Sequence, residues 1–203
     1  MIGLNSVFAQ ESRFSIGVQT KYSWSKLSFD NVRNQKGVTD LSPYVYLEYR
    51  LSENLSLKQG WGLIKKGVTG NIYIDNIHNT INTHAIITHS LNYWEAPLVI
   101  TYTSNGKIKF YCEGGFMLSY LLNSKLIFSP ESNLSPGESW DSTSGFKKLD
   151  FGLSLGVGLL VPVSNSTYID ISIRDDYGLL SVKGGNSVKT NSLAVHLGVK
   201  FDL

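Results

Sequence analysis

The chain is short of several things at once. Among its 203 residues there is one cysteine, Cys112, so no intrachain disulfide can form, and a lone thiol of this kind is expected as a small buried hydrophobe. No apolar run reaches the roughly 18 residues of a membrane-spanning helix, so any membrane segment must be a strand. No stretch of useful length holds a helical period. Charge of one sign is scarce as well. Eighteen Lys and Arg against 16 Asp and Glu leave a formal net charge of +2, and the two signs alternate without gathering into the basic stripe that nucleic-acid binding requires. A hydrophobic content of 42% excludes wholesale disorder, and the length suits one well-buried domain rather than two. Near the start, Val7 and Ala9 occupy the two small-residue positions of a signal-peptidase site, with cleavage expected before Gln10. Residues 1–9 are therefore read as the remnant of an export signal and 10–203 as a single domain.

What is abundant is strict alternation. From Phe14 one face carries Phe14, Ile16, Val18, Thr20, Tyr22 and Trp24, and the other carries Ser15, Gly17, Gln19, Lys21, Ser23 and Ser25. That is a strand with one greasy face and one wet face. Seven further segments, near 43–51, 55–66, 86–103, 107–122, 147–162, 168–179 and 192–202, repeat the pattern. The connections alternate too. Ser52-Glu53-Asn54, Ser104-Asn105-Gly106 and Val163 to Thr167 are tight, whereas the segments near 28–41, 67–85, 123–146 and 181–190 are long and polar. Short turns on one side and long loops on the other predict an all-β fold: a closed, antiparallel, up-and-down transmembrane β-barrel of about eight strands, with both termini on the short-turn side.

Orientation of the greasy face decides between two settings. The wet faces hold Lys21, Glu48, Arg50, Lys58, Glu95, Lys109, Glu113, Asp150, Asp170, Arg174 and Lys200, while the greasy faces hold only Lys65 and Asp175, near the long-loop ends. A charge at the lipid midplane costs about 2–4 kcal/mol and little at the interface, so those two positions suit a membrane. A soluble lipocalin-like barrel binding a small apolar ligand also alternates, greasy face inward, and charge alone leaves both open. The aromatics favour the bilayer. Phe14, Tyr49, Tyr102, Phe110 and Phe201 lie toward the short turns, and Tyr22, Trp24, Trp94, Tyr120 and Tyr177 toward the long loops, two girdles around an aliphatic band.

Register arguments then fill the lumen. If Leu51 pairs with Leu55, Glu48 faces Lys58 as a cross-strand ion pair. A three-residue turn at 104–106, with Gly106 as its left-handed residue, sets Glu95 opposite Gly115 and diagonal to Glu113, two carboxylates that call for Arg50 or Arg174 between them. The expected interior is an ion-pair network of Glu48, Arg50, Lys58, Glu95, Glu113, Asp150 and Arg174, packed with Tyr44, Tyr46, Tyr93 and Tyr111. Roughly eight strands leave room only for side chains, so no solute channel is expected.

Tyr93-Trp94-Glu95-Ala96-Pro97-Leu98 resembles the Tyr-Leu-Glu-Ile-Pro-Leu core of the PorT-type outer-membrane β-barrel family of Bacteroidetes. Tyr111 to Tyr120, Asp150-Phe151-Gly152-Leu153, Gly198 to Phe201, and Leu55 to Gly67 with its Lys65-Lys66-Gly67 ending fit the same family. The resemblance implies residence in the bacterial outer membrane, contact with its lipid and insertion by the barrel-assembly machinery, with Phe201 as assembly signal although Leu203 follows it. It implies no catalytic residues. One family member assists protein secretion, which makes an accessory role of that kind an expectation here.

The chemistry-bearing residues point the same way. Glu95 with Glu113 could form a general acid–base pair, but a filled lumen leaves no space for substrate. His78, His84 and His89 share no ligand face of a single strand. A lipid-modifying enzyme of the outer membrane would want His and Ser two apart on the lipid face, yet His89 is followed by Leu91 and His196 is flanked by Ala194 and Gly198. No enzyme activity, cofactor or metal is expected. A structural or protein-interaction role is, with an envelope partner at 67–85 and 123–146, where Ile72, Tyr73, Ile74, Ile77, Phe128 and Trp140 are more apolar than solvated loops require.

Overall fold

The structure, a computed structural model, describes residues 13–27, 33–74, 83–130, 138–184 and 188–203. The export signal expected at 1–9, and with it Ile77 and His78, lies outside them. Strands β1 (Phe14–Leu27), β2 (Arg33–Arg50), β3 (Leu55–Ile74), β4 (Thr83–Thr103) and β5 (Lys109–Pro130) precede a short β6 (Glu138–Asp141) and a 3-10 turn (Thr143–Gly145). Then come β7 (Leu149–Pro162), β8 (Thr167–Gly178) and β9 (Thr190–Asp202). Eight long strands pair antiparallel in chain order, β5 with β7, and β1 pairs with β9 to close the barrel. The ninth, β6, hangs on the outer part of β5.

Alternation sets the faces. Along β1 every even-numbered residue from Phe14 to Trp24 points outward and every odd one from Ser15 to Ser25 is buried. The other strands follow, so the large exposed side chains are apolar and the buried ones include most of the charges. Greasy side out is stable only against lipid, and this overturns the soluble, inward-greasy alternative. Cys112 belongs to the outer face and is exposed on it, not buried as expected, because its strand position puts it in phase with Phe110 and Phe116.

The short turns are knit together at one end: Arg50 donates to Arg13, Thr103 to Asn54, and Asp202 to Ser166 through backbone bonds of 2.7–2.8 Å. All excess strand length therefore lies at the other end. Strands β2 to β5 run 18, 20, 21 and 22 residues, against 14, 14, 12 and 13 for β1, β7, β8 and β9. At ~3.3 Å per residue and ~40° tilt, the longest climbs about 55 Å, twice the ~25 Å apolar band. Much of what reads as loop at 28–41, 67–85 and 123–146 is thus strand. Ile74 pairs with Thr83 and Ala85 with Pro130; β-branched runs such as Ala85-Ile86-Ile87-Thr88 extend the sheet without a polar–apolar alternation to announce it.

Register holds in one hairpin and slips in another. Leu51 N–H donates to the Leu55 carbonyl, the expected pairing, and Glu48 stands opposite Lys58. Between β4 and β5 the turn spans Ser104 to Ile108, tied by Ser104 to Phe110 at 2.7 Å, with Gly106 at φ +136°. Glu95 consequently faces Ser119, and Glu113 faces Thr101. The shift from the expected register is four residues, an even number, which alternation cannot detect because every face is preserved.

Candidate functional site

The lumen is the one interior the fold builds, and it is filled in two tiers. In the lower tier, toward the short turns, Lys58 lies between the rings of Tyr46 and Tyr111, 4.8 and 4.4 Å from their centroids, a cation–π cage. Its Nζ donates to Glu113 at 2.7 Å. The same carboxylate takes the Arg174 guanidinium at 2.7 and 2.9 Å, and Arg174 Nη1 donates to the Tyr44 hydroxyl at 2.8 Å. Asp170 accepts from two phenols, Tyr46 at 2.5 Å and Tyr111 at 2.8 Å. Glu48 takes Lys200 at 2.7 Å and the Ser56 hydroxyl at 2.6 Å. These rings fit because glycine faces them: a Cβ on Gly17 would lie 2.1 Å from the Tyr46 ring, and one on Gly158 2.4 Å from that of Tyr111.

Higher up, Lys21 pairs with Glu95, both fully buried. Lys66 pairs with Asp150 at 2.8 Å, beside the Tyr93 ring and the Thr190 hydroxyl, which donates to Asp150 at 2.7 Å. Around and above the Lys66–Asp150 pair the chemistry changes. Leu27, Ile64, Val68, Leu91, Tyr93, Leu121, Phe146, Val182 and Val188 form one buried apolar cluster across the mouth. Three of these come from connections, not strands. Backbone bonds Lys147 to Val182 and Val182 to Val188, each 2.8 Å, fold the two segments over the opening, and Phe146 bridges Lys183. At the opposite end, a polar cup of about 630 Å³ lined by Glu48, Arg50, Lys109, Tyr168 and Lys200 opens among the short turns.

Six of the seven expected network members are buried in the lumen: Glu48, Lys58, Glu95, Glu113, Asp150 and Arg174. Arg50 is not. It sits at the rim, one-third exposed, 3.6 Å from Asp202, because its strand ends there. The expected Glu48–Lys58 ion pair is not formed although the two are register partners; each turns to a cation or anion across the lumen. Glu95 and Glu113 do not share a cation either, each having its own. Among the described residues Lys21, Lys66, Asp170, Asp176 and Lys200 complete the set of buried charges. Lys66 and Asp176 were missed, yet strand parity from Lys58 and Arg174 points both inward. Of the girdle residues, Phe14, Tyr22, Trp24, Trp94, Tyr102, Phe110, Tyr120 and Phe201 are exposed on the outer face. Tyr49 is half-buried, packed on Phe14 at 5.0 Å. Among the described residues no group of His, Cys, Asp and Glu is arranged to hold a metal through three or more of them, and His89 lies apart, edge-on to Phe146.

An eight-stranded closed barrel with a lipid-facing greasy surface and a charged, filled interior defines a class, the small outer-membrane β-barrels. The chain belongs to the outer membrane protein beta-barrel domain family, whose pattern it matches over residues 8–184, and the protein resides in the outer membrane. No curated protein gives a significant match. Among solved structures, Neisserial surface protein A (NspA) is 14% identical with a TM-score of 0.50, covering 95% of this chain and 98% of that one. OprG of Pseudomonas aeruginosa is 13% identical with a TM-score of 0.49, covering 94% and 95%. Ail of Yersinia pestis, solved with a heparin analogue, is 14% identical with a TM-score of 0.46, covering 93% and 99%. At such identities NspA speaks for the fold alone.

Proposed function

We propose that the protein is a non-conducting outer-membrane barrel that acts as a structural or protein-interaction element through its outer rim, without catalysis. The observation that carries this reading is the double closure of the lumen, an ionic and aromatic tier below and an apolar plug above. The rim offers what the lumen does not. Strands β2 to β5 project well beyond the bilayer, and Trp140, with 48% of its surface exposed, stacks near Phe128 on the β5–β6 hairpin. An envelope protein docking on residues 67–85 and 123–146 would meet this wall. The likeness of the Tyr93–Leu98 motif to PorT-type barrels favours a partner from the protein-secretion apparatus.

Planar-bilayer recordings on refolded protein test the closed lumen, and the expected trace is flat. Stable steps of porin size would overturn the proposal. In cells, a photo-crosslinker at Trp140 should capture an envelope protein, while one at Leu155 on the lipid face should not.

A further inference from the structure

The buried charges do not balance. Among the described residues the lumen encloses Lys21, Lys58, Lys66, Arg174 and Lys200, five cations, against Glu48, Glu95, Glu113, Asp150, Asp170 and Asp176, six anions. Each cation has an anionic partner in Glu48, Glu95, Glu113 or Asp150. Asp170 is held by two phenols. Glu113 holds two of the cations, so a second anion is without one: Asp176, only 4% exposed, with Oδ1 unpartnered. An isolated ion in such surroundings carries a penalty of several kcal/mol, so something must offset it.

The neighbours of Asp176 suggest what. On β9 it faces Ser192, and Ser192 faces Ser25 on β1. Both serines are essentially inaccessible, and both hydroxyl oxygens lack a partner. On β7 Asp176 faces Ser154, also fully buried and with its hydroxyl oxygen unpartnered. Arg174 and Lys66 act on Asp176 electrostatically, but their ion pairs are with Glu113 and Asp150. One rung of the barrel thus presents one carboxylate oxygen and the hydroxyls of Ser154, Ser192 and Ser25, all hard donors, in a lumen one negative charge in excess.

We infer that this rung is a resident metal-cation site, with Asp176 Oδ1 as its charged ligand and the hydroxyls of Ser25, Ser154 and Ser192 as neutral ligands. Oxygen-only donors select a hard cation. A single uncompensated charge selects a monovalent one, sodium or potassium, since a divalent ion would replace an excess of minus one by plus one. Because the rung is closed in by Arg174 below it on β8 and by the Lys66, Asp150 and Thr190 group above it, the ion is enclosed as the barrel forms and stabilises it by linkage.

The full mature chain, unfolded in urea and refolded in detergent with sodium, potassium or the organic cation N-methylglucamine at matched ionic strength, tests this. At saturation each tenfold rise in sodium or potassium should raise the folding equilibrium constant about tenfold, with no such rise in N-methylglucamine. Asp176→Asn should abolish the dependence, and Ser192→Ala should shift it to higher metal concentration. Crystals grown in rubidium should carry an anomalous peak beside Asp176 Oδ1, a readout that stands even if the variants fail to fold. Equal stability in all three salts together with no rubidium peak would overturn the site. So would stability of the wild type that rises on acidification, is lost in Asp176→Asn and ignores the metal, because a proton would then supply the missing charge.

Discussion

Below Tyr44 the lumen is held by charges and phenols on rigid strands; from Tyr93 upward it is closed by aliphatic and aromatic side chains, three of them carried on connections, packed about the one Lys66–Asp150 pair. The lower tier is specific. Each of its ions has a named partner, and removing one strands the others in a low-dielectric interior. The upper tier is non-directional, stabilised in proportion to the apolar area withdrawn from water, and tolerant of local opening because its lid segments are not part of the barrel ladder. One end is therefore built to be unique and the other to close.

The largest effect should come from Glu113→Ala, which deprives both Lys58 and Arg174 of their anion. A loss of about 3–5 kcal/mol is expected in denaturant unfolding from detergent, the range for a broken buried ion pair. A double-mutant cycle sharpens the point: coupling of Lys58 with Glu113 should clearly exceed coupling of Lys58 with Glu48, its register neighbour. Equal couplings would mean that cross-strand adjacency, not the pairing across the lumen, sets the energetics. Next in size is Gly17→Val, which forces a side chain into the Tyr46 ring; about 1–3 kcal/mol of overpacking is expected, partly recovered by adding Tyr46→Ser.

Phe146→Ala should separate the tiers. Barrel migration in unheated gels should stay that of the folded form, while thermolysin added to intact cells cleaves the segments around 142–148 and 179–184 faster. Loss of the barrel itself would show that the lid is integral to it. The smallest effect concerns His89, beside the lid and above the outer girdle. Burial, with Lys183 adding to it, holds its imidazole below the ordinary histidine range. The folded state therefore binds fewer protons than the unfolded one, and lid stability should fall as pH drops through about 6.5. His89→Gln should flatten the dependence of lid proteolysis on pH.

Much of this was legible in the sequence, for a definite reason. A filled lumen inside a lipid-facing wall imposes period two on every strand, so fold, faces and the inward place of Glu48, Lys58, Glu113 and Arg174 follow from parity. Parity says nothing about even shifts, and so the β4–β5 register and the pairing of Glu95 with Lys21 could not be read. Nor does it reveal which of two facing ions turns across the lumen, as Lys58 does. The heights of β2 to β5 escaped notice for another reason. Above the bilayer both faces of a strand meet water or protein, and the alternation that marks a strand is no longer enforced. The apolar plug was hidden because Phe146, Val182 and Val188 reach it from segments without any period.

One irregularity in β5 has a reach beyond its size. Asn123 pairs with Asn92 and Leu121 with Tyr93, leaving Leu122 without a partner. Below that bulge the odd-numbered residues of the strand face inward, Met117, Ser119 and Leu121 among them; above it Ser124 does. Leu122 behaves like an inserted letter that shifts the reading frame of everything downstream. Removing it would delete the extra letter and the slip together: Asn123 would follow Leu121 facing outward, and Ser124 inward with Lys125 outward would be kept. A strand that meets the outside world can in this way gain or lose one residue at the bilayer rim while the lipid-facing half below and the displayed residues above both keep their faces.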